Sequence, residues 1–261
     1  MTEFWSTWHL DPITGSFLAF VGWRYMDGIW RLWRRAGTGR GVHRWQVVAF
    51  WLGLISIATA LLSPIETFAE TSLPVHMVQH LLLTLIAPPL LVAGLPPVAL
   101  MGTLPMDWRK GVARWFLRRK LLKTLWHGAT TPGVSWGLYA LVLWGWHVPI
   151  LYQTAVENSA VHLLEHISFF SAAFLFWHSV SIQNITALIV IFTTALHSSM
   201  LGVLMTFSNQ TWYPAYESLE NQQIAGLIMW MGGGIIFLIA GLLVLWRWLY
   251  EMEVHHANNV A

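Results

Sequence analysis

The chain has no cysteine. Disulfides, thiolate metal sites and cysteine nucleophiles are therefore excluded, and any bound metal must take imidazole, thioether or oxygen ligands. Charge is scarce too: only 10% of the 261 residues are charged and 56% are hydrophobic. A soluble domain carries about a quarter charged residues, so this chain is not built to be covered by water. Also missing is the alternating pattern of a lipid-facing β-barrel. In its place stand apolar runs of about 20 residues, the length an α-helix needs to cross a bilayer. The first residues, MTEFWSTWHLDP, lack the basic start and small-residue cleavage site of a signal peptide, so the first apolar run is expected to stay in place. With a net charge of only +2, the pI near 9.1 does not argue for nucleic acid. The partner that the composition calls for is the lipid bilayer.

These runs predict an all-α integral membrane protein with spans over 13–33, 45–62, 75–99, 133–152, 161–180, 185–207 and 223–248. There is no internal repeat or low-complexity linker, so residues 1–261 read as a single domain of about seven helices. The first span is interrupted by Arg24 and Asp27, whose spacing lets them pair on one helix face. Apart from Arg24 in the first span and Arg247, which closes the last helix, the basic residues fall in two loops: Arg31, Arg34, Arg35, Arg40 and Arg44 in the first, and Arg109, Lys110, Arg114, Arg118, Arg119, Lys120 and Lys123 in the third. The positive-inside rule puts these loops and the C-terminus in the cytoplasm and the N-terminus outside. The opposite loops hold Glu66, Glu70, Glu157, Glu217 and Glu220 and no Lys or Arg, which agrees. The third loop interleaves Trp108, Trp115, Phe116, Leu121 and Leu122 with arginine, as in an amphipathic helix lying on an anionic leaflet.

That topology gathers scattered histidines at one depth. His76 and His80 open the third span, His147 nears the end of the fourth, and His162 and His166 open the fifth, all in the outer third of the membrane. Imidazole is costly in hydrocarbon and is a common metal ligand, and spacing of four residues brings two rings to one helix face. A metal or haem site is the expectation, with a hydrogen-bonded structural network as the alternative. Met77 could add a thioether favouring Cu(I), or simply pack; Glu165 could be a ligand, an orienting group or a proton acceptor. Gln79, Asn221, Gln222 and Gln223 are possible hydrogen-bond donors to the site, and His197 a deeper ligand or a packing residue. His9, His43, His127, His255 and His256 are given no role, and His178 sits at the inner end of the fifth span. Pro88-Pro89 should kink the third helix and Pro96-Pro97 end it. Gly232 to Gly234 should allow close helix packing. The segment His162-Leu-Leu-Glu165-His166 also fits H-x-x-E-H, which keeps open an intramembrane zinc hydrolase with Glu165 activating water. A bis-histidine haem protein is a further alternative.

Several segments in order carry a family resemblance: SPIE from Ser63, HMVQHLLL from His76, APPLLVAGLP from Ala87, LWGWHVPILY from Leu143, HLLEH from His162, FW at Phe176-Trp177, then LMTF, WYPAY and NQQIAGLIMW. Together they resemble the caa(3)-type cytochrome c oxidase assembly factor (CtaG) family over nearly the whole chain. The resemblance implies a multi-pass protein of the bacterial cytoplasmic membrane needed to form active haem-copper oxidase. It also implies copper delivery in place of a turnover reaction, so the chain is not expected to be an enzyme. The implied partners are an oxidase subunit or another copper chaperone, with a homo-oligomer left open. Where the family tends to have DQQ this chain reads Asn221-Gln222-Gln223, so an acidic partner there is absent, and His178 follows Phe176-Trp177.

Overall fold

In a computed structural model, which describes residue 8 and residues 11–181, 185–216 and 218–260, the described residues form helices and no strand. The expected positions His9 and Glu217 lie outside the described residues. Helix α1 is Pro12–Ala36, capped by Asp11, whose carboxylate accepts from the backbone N–H groups of Ile13 and Thr14. It is followed by α2 (Arg44–Leu62), the short α3 (Pro64–Ala69), α4 (Leu73–Ala93) and α5 (Pro96–Gly102). Next come α6 (Met106–Arg118), α7 (Lys120–Ala129), α8 (Pro132–Trp146) and α9 (Pro149–Glu157). The long helices α10 (Ser159–Ser181) and α11 (Ile185–Thr206) precede α12, which runs as Leu219–Leu227, a π-helical segment Ile228–Gly232 and Gly233–Val260.

Five of these helices are long and apolar enough to cross a membrane, or six if the bent pair α8–α9 counts as one span. The remaining expected span corresponds to α1. It is 25 residues long, but Arg24, Asp27, Arg31, Arg34 and Arg35 keep its composition below that standard. Large apolar side chains cover the outward faces, among them Ile189, Phe192 and Leu196 of α11 and Leu238, Leu242 and Trp246 of α12. Two buried clusters lie inside: one joins α4 with α8 to α12 through Phe176, Trp177 and Phe237, and the other joins α1, α2 and α4 through Tyr25, Phe50 and Leu91. Where α11 crosses α12 the backbones almost touch, since a Cβ on Gly202 would lie 2.8 Å from the Gly226 carbonyl oxygen.

Three boundaries differ from the sequence expectation. Helix α4 ends at Ala93, not near 99, and Leu95 adopts a left-handed conformation before Pro96 and Pro97 start α5. The freed carbonyls are taken by side chains, with Gln46 Nε2 donating to Ala93 O at 3.1 Å and the Tyr25 hydroxyl donating to Gly94 O at 2.8 Å. Residues 133–152 do not form one helix: α8 stops at Trp146, His147 caps it, and Pro149 starts α9 at 73° to it. The basic loop is two helices, separated at Arg119. Pro88 and Pro89 sit just past a π-helical segment, Leu82–Ile86, and the Thr84 carbonyl, which the proline at 88 cannot engage, accepts from the Trp177 indole at 2.9 Å.

Helix α10 orients the molecule. His162 and His166 lie in its first turns, while His178, near its other end, packs on Trp126 of α7 with ring centres 5.4 Å apart. The basic helix α7 and the histidines of α10 are therefore at opposite ends of the bundle.

Candidate metal centre

The histidines are delivered by two helix starts that face each other. Ser63 accepts from Ile65 N–H to begin α3, which turns the chain so that α4 can start at Leu73-Pro74. His76 and His80 then stack along one face of α4, ring centres 4.2 Å apart. Asn158 caps α10 by accepting from Ala160 N–H and Val161 N–H at 3.0 and 3.2 Å. His162 and His166 follow, also 4.2 Å apart. Across the gap His76 lies 5.6 Å from His162 and 6.5 Å from His166, and His80 lies 5.6 Å from His166, centre to centre. Four rings thus converge from two helices.

Glu165 is the fifth member of the group. Its Oε1 is 3.8 Å from His80 Nε2, and ligand atoms of His76, His80 and Glu165 all lie within 4.8 Å of one another. His76, His80, Glu165 and His166 are 2%, 6%, 1% and 7% exposed, yet His76 Nε2, both nitrogens of His80, His166 Nε2 and both Glu165 oxygens have no hydrogen-bond partner. Buried polar atoms are ordinarily paired, because each orphan costs about 1–3 kcal/mol. Six in one place, on residue types that ligate metals, fit a cation drawn in to roughly 2 Å from nitrogen and oxygen. The carboxylate of the HLLEH segment groups with the α4 histidines, as a ligand would.

His147 stands one step away. Its ring packs on Phe169 at 6.3 Å, and Phe169 in turn packs on His80 at 4.7 Å. Met77 is buried in the apolar cluster and shares a cavity wall with His80 and His147. His197 lies against Trp136 and Tyr139 of α8, at 5.7 and 6.4 Å, with both ring nitrogens unpartnered. The glutamines have other work. Gln222 accepts from Trp212 N–H at 2.6 Å and donates to Gln210 O, and Gln223 donates to Ser208 O, so both hold the 208–212 loop and do not orient imidazoles. Gln79 donates to Ala60 O at 2.9 Å and to the Glu66 carboxylate, bracing the α2–α3 corner. The Asn221 N–H is capped by Ser218 Oγ at 3.2 Å.

The sequence reading missed a tyrosine cover. Tyr152 of α9 packs on His76 at 5.4 Å and on Tyr213 at 4.2 Å, and its hydroxyl meets that of Tyr216 at 3.4 Å. Tyr216 donates to Ala69 O and Tyr213 to His147 O, each at 3.0 Å. Burial pushes the Tyr216 hydroxyl up to about 12, so it keeps the proton that this bond requires. The bend at His147 is what brings Tyr152 over the histidines. Its only advance signal was Pro149 two residues after His147.

The chain matches the family model of the cytochrome c oxidase caa3 assembly factor (Caa3_CtaG) over residues 23–251, and it belongs to that family. It is similar to an uncharacterised protein of Mycobacterium leprae, 23% identical over 94% of this chain and 40% of that one. Uncharacterised proteins of Mycobacterium bovis and Mycobacterium tuberculosis are each 25% identical over 97% of this chain and 42% of theirs. The chain thus spans about two-fifths of the length of these curated relatives. No solved structure matches it.

Proposed function

We propose that this member of the caa3 assembly factor family binds copper as cargo at the imidazole–carboxylate centre and supplies it to a subunit of a haem-copper oxidase in the same membrane. The observation that carries the reading is the set of buried, unpartnered donor atoms on His76, His80, Glu165 and His166. Imidazole and carboxylate suit copper and zinc alike, and the family's link to an oxidase that contains copper favours copper. A carrier must release what it holds, and a centre near the end of two helices leaves a short way out. The role is transfer, with no bond in a substrate made or broken.

The orientation belongs to the same reading. With α1 as a seventh span, the positive-inside rule leaves the basic loops in the cytoplasm and the histidines at the outer face of the bacterial cytoplasmic membrane. Helices α6 and α7 then rest on the inner leaflet, with Trp108, Trp115 and Trp126 exposed among the basic residues. The partner would be met from the outer side, by an oxidase subunit or a copper chaperone.

Replacing His76 and His80 together with Ala tests this. The variant is expected to accumulate in the membrane, because apolar helices supply the packing, while oxidase activity falls through loss of copper in the client. Added copper should partly restore activity by mass action. An abundant variant that supports normal oxidase assembly under copper limitation would refute the role of this pair.

A further inference from the structure

We propose a second metal station, selective for a soft monovalent ion such as Cu(I), in the cavity next to the imidazole–carboxylate centre and deeper in the bundle, with His147, Met77 and Met229 as ligands. It rests on the copper reading and adds to it a second site that takes copper already present as Cu(I), with no change of oxidation state in the protein. The cavity has a volume of about 30 Å³ and lies between α4, α8, α10, α11 and α12. That is room for one water-sized occupant. His80 forms part of its wall, so the centre and the cavity share a boundary.

His147 is prepared as a ligand. Its Nδ1 lies 2.7 Å from Leu143 O, and since a carbonyl can only accept, Nδ1 carries the proton and Nε2 is left with a bare lone pair. Metal-binding histidines are fixed in this way, by donating the other N–H to a carbonyl or carboxylate. His147 is 5% exposed, lines the cavity, and its Nε2 has no partner. Met77 and Met229, 2% and 7% exposed, line the same space.

The donor sets differ in charge and softness. The outer centre includes the Glu165 carboxylate, which suits a dication. Besides His80, which it shares with the outer centre, the cavity offers the His147 imidazole, two thioethers and the hydroxyls of Thr84, Tyr139 and Ser198, all neutral, so a dication there would be desolvated with no opposing charge. Soft, neutral donors select Cu(I). The backbone marks the same spot independently. Both π-helical segments border the cavity, the first through Thr84 and Leu85 and the second through Met229, and π-helical insertions are frequently found at functional sites.

The test is an anaerobic titration of the purified full chain with Cu(I) against a chromophoric chelator, a separate titration with Zn(II), and X-ray absorption at the copper edge. The wild type should take one more equivalent of Cu(I) than of Zn(II), with sulfur among the copper neighbours. Met77→Leu, Met229→Leu, which keeps the side chains apolar and similar in volume, should lose the extra equivalent and the sulfur signal but keep Zn(II). His147→Gln should lose the same equivalent. Equal uptake of the two ions with only nitrogen and oxygen neighbours would overturn the station and leave the cavity to a water. In that outcome the outer centre survives if the remaining metal disappears in His76→Ala, His80→Ala. A wild type that binds neither ion would overturn both readings together.

Discussion

The histidine centre and the junction between α1 and α5 both hold polar side chains in an apolar bundle, buried at the centre and partly exposed at the junction, and they treat them in opposite ways. At the junction Arg24 donates to Thr103 Oγ1 at 2.6 Å, Asp27 accepts from Arg31 at 2.9 Å and faces Arg24 at 3.8 Å, and Arg109 donates to Gly102 O and Leu104 O. These charges are spent on the protein itself. In the histidine centre, Glu165 and His80 have no hydrogen bond from their side-chain atoms at all. A polar group whose bonds are made internally explains its own presence; a cluster of buried ligating atoms whose bonds are unmade points to something it binds.

Four substitutions put that contrast at risk. The largest effect is expected for Glu165→Leu, which should weaken Zn(II) or Cu(II) binding by about a hundredfold or more, near 2.7 kcal/mol. The metal-free protein should melt at the same or a higher temperature, because an orphaned carboxylate is removed. Titration calorimetry and thermal melting in detergent read the two halves. A lower melting temperature without metal would make Glu165 structural and erase the contrast.

Next is Gly28→Ala at the junction. A Cβ there would collide with the Ala99 carbonyl group, so separation of α1 from α5 should cost about 1–3 kcal/mol of stability with metal affinity unchanged. Arg24→Met should cost about 1.5 kcal/mol through the lost charged hydrogen bond to Thr103. Smallest is Arg31→Gln, at a pair whose arginine is 45% exposed, where melting should change by less than about 0.5 kcal/mol. Loss of metal binding in any of these three would mean that the two regions are coupled.

Much of the centre could be read from the chain because it depends on short spacings. His76 with His80 and His162 with Glu165 and His166 are fixed on their helix faces by a 3.6-residue turn, and the alternation of spans predicts the two helix starts at one end of the bundle, where their rings lie 5.6 Å apart. The pairing of Arg24 with Asp27 was legible for the same reason. What escaped depends on chain direction. The turn at His147 takes α9 away from α8, so Tyr152, read as the end of a span, instead roofs the histidines. Gln222 and Gln223 were at the right depth, but depth says nothing about facing, and their amides turn to the 208–212 loop. Pro88-Pro89 announced an irregularity in α4 but could not reveal that a π-helical segment precedes them or that Trp177 fills the vacated carbonyl.

The two π-helical segments set the register between α4 and α12. Each amounts to one residue inserted into a regular helix, which turns everything on one side of it by about 100° relative to the other. Helices α4 and α12 carry such insertions side by side, Gly232 against Leu81 and Gly233 against Leu85. A phase change in one alone would swing one half of it away from the other, so the two insertions keep the helices in mutual register. A relative that kept the unmodified helices would align with single-residue gaps at both 82–86 and 228–232, and its histidines would point toward a different neighbour.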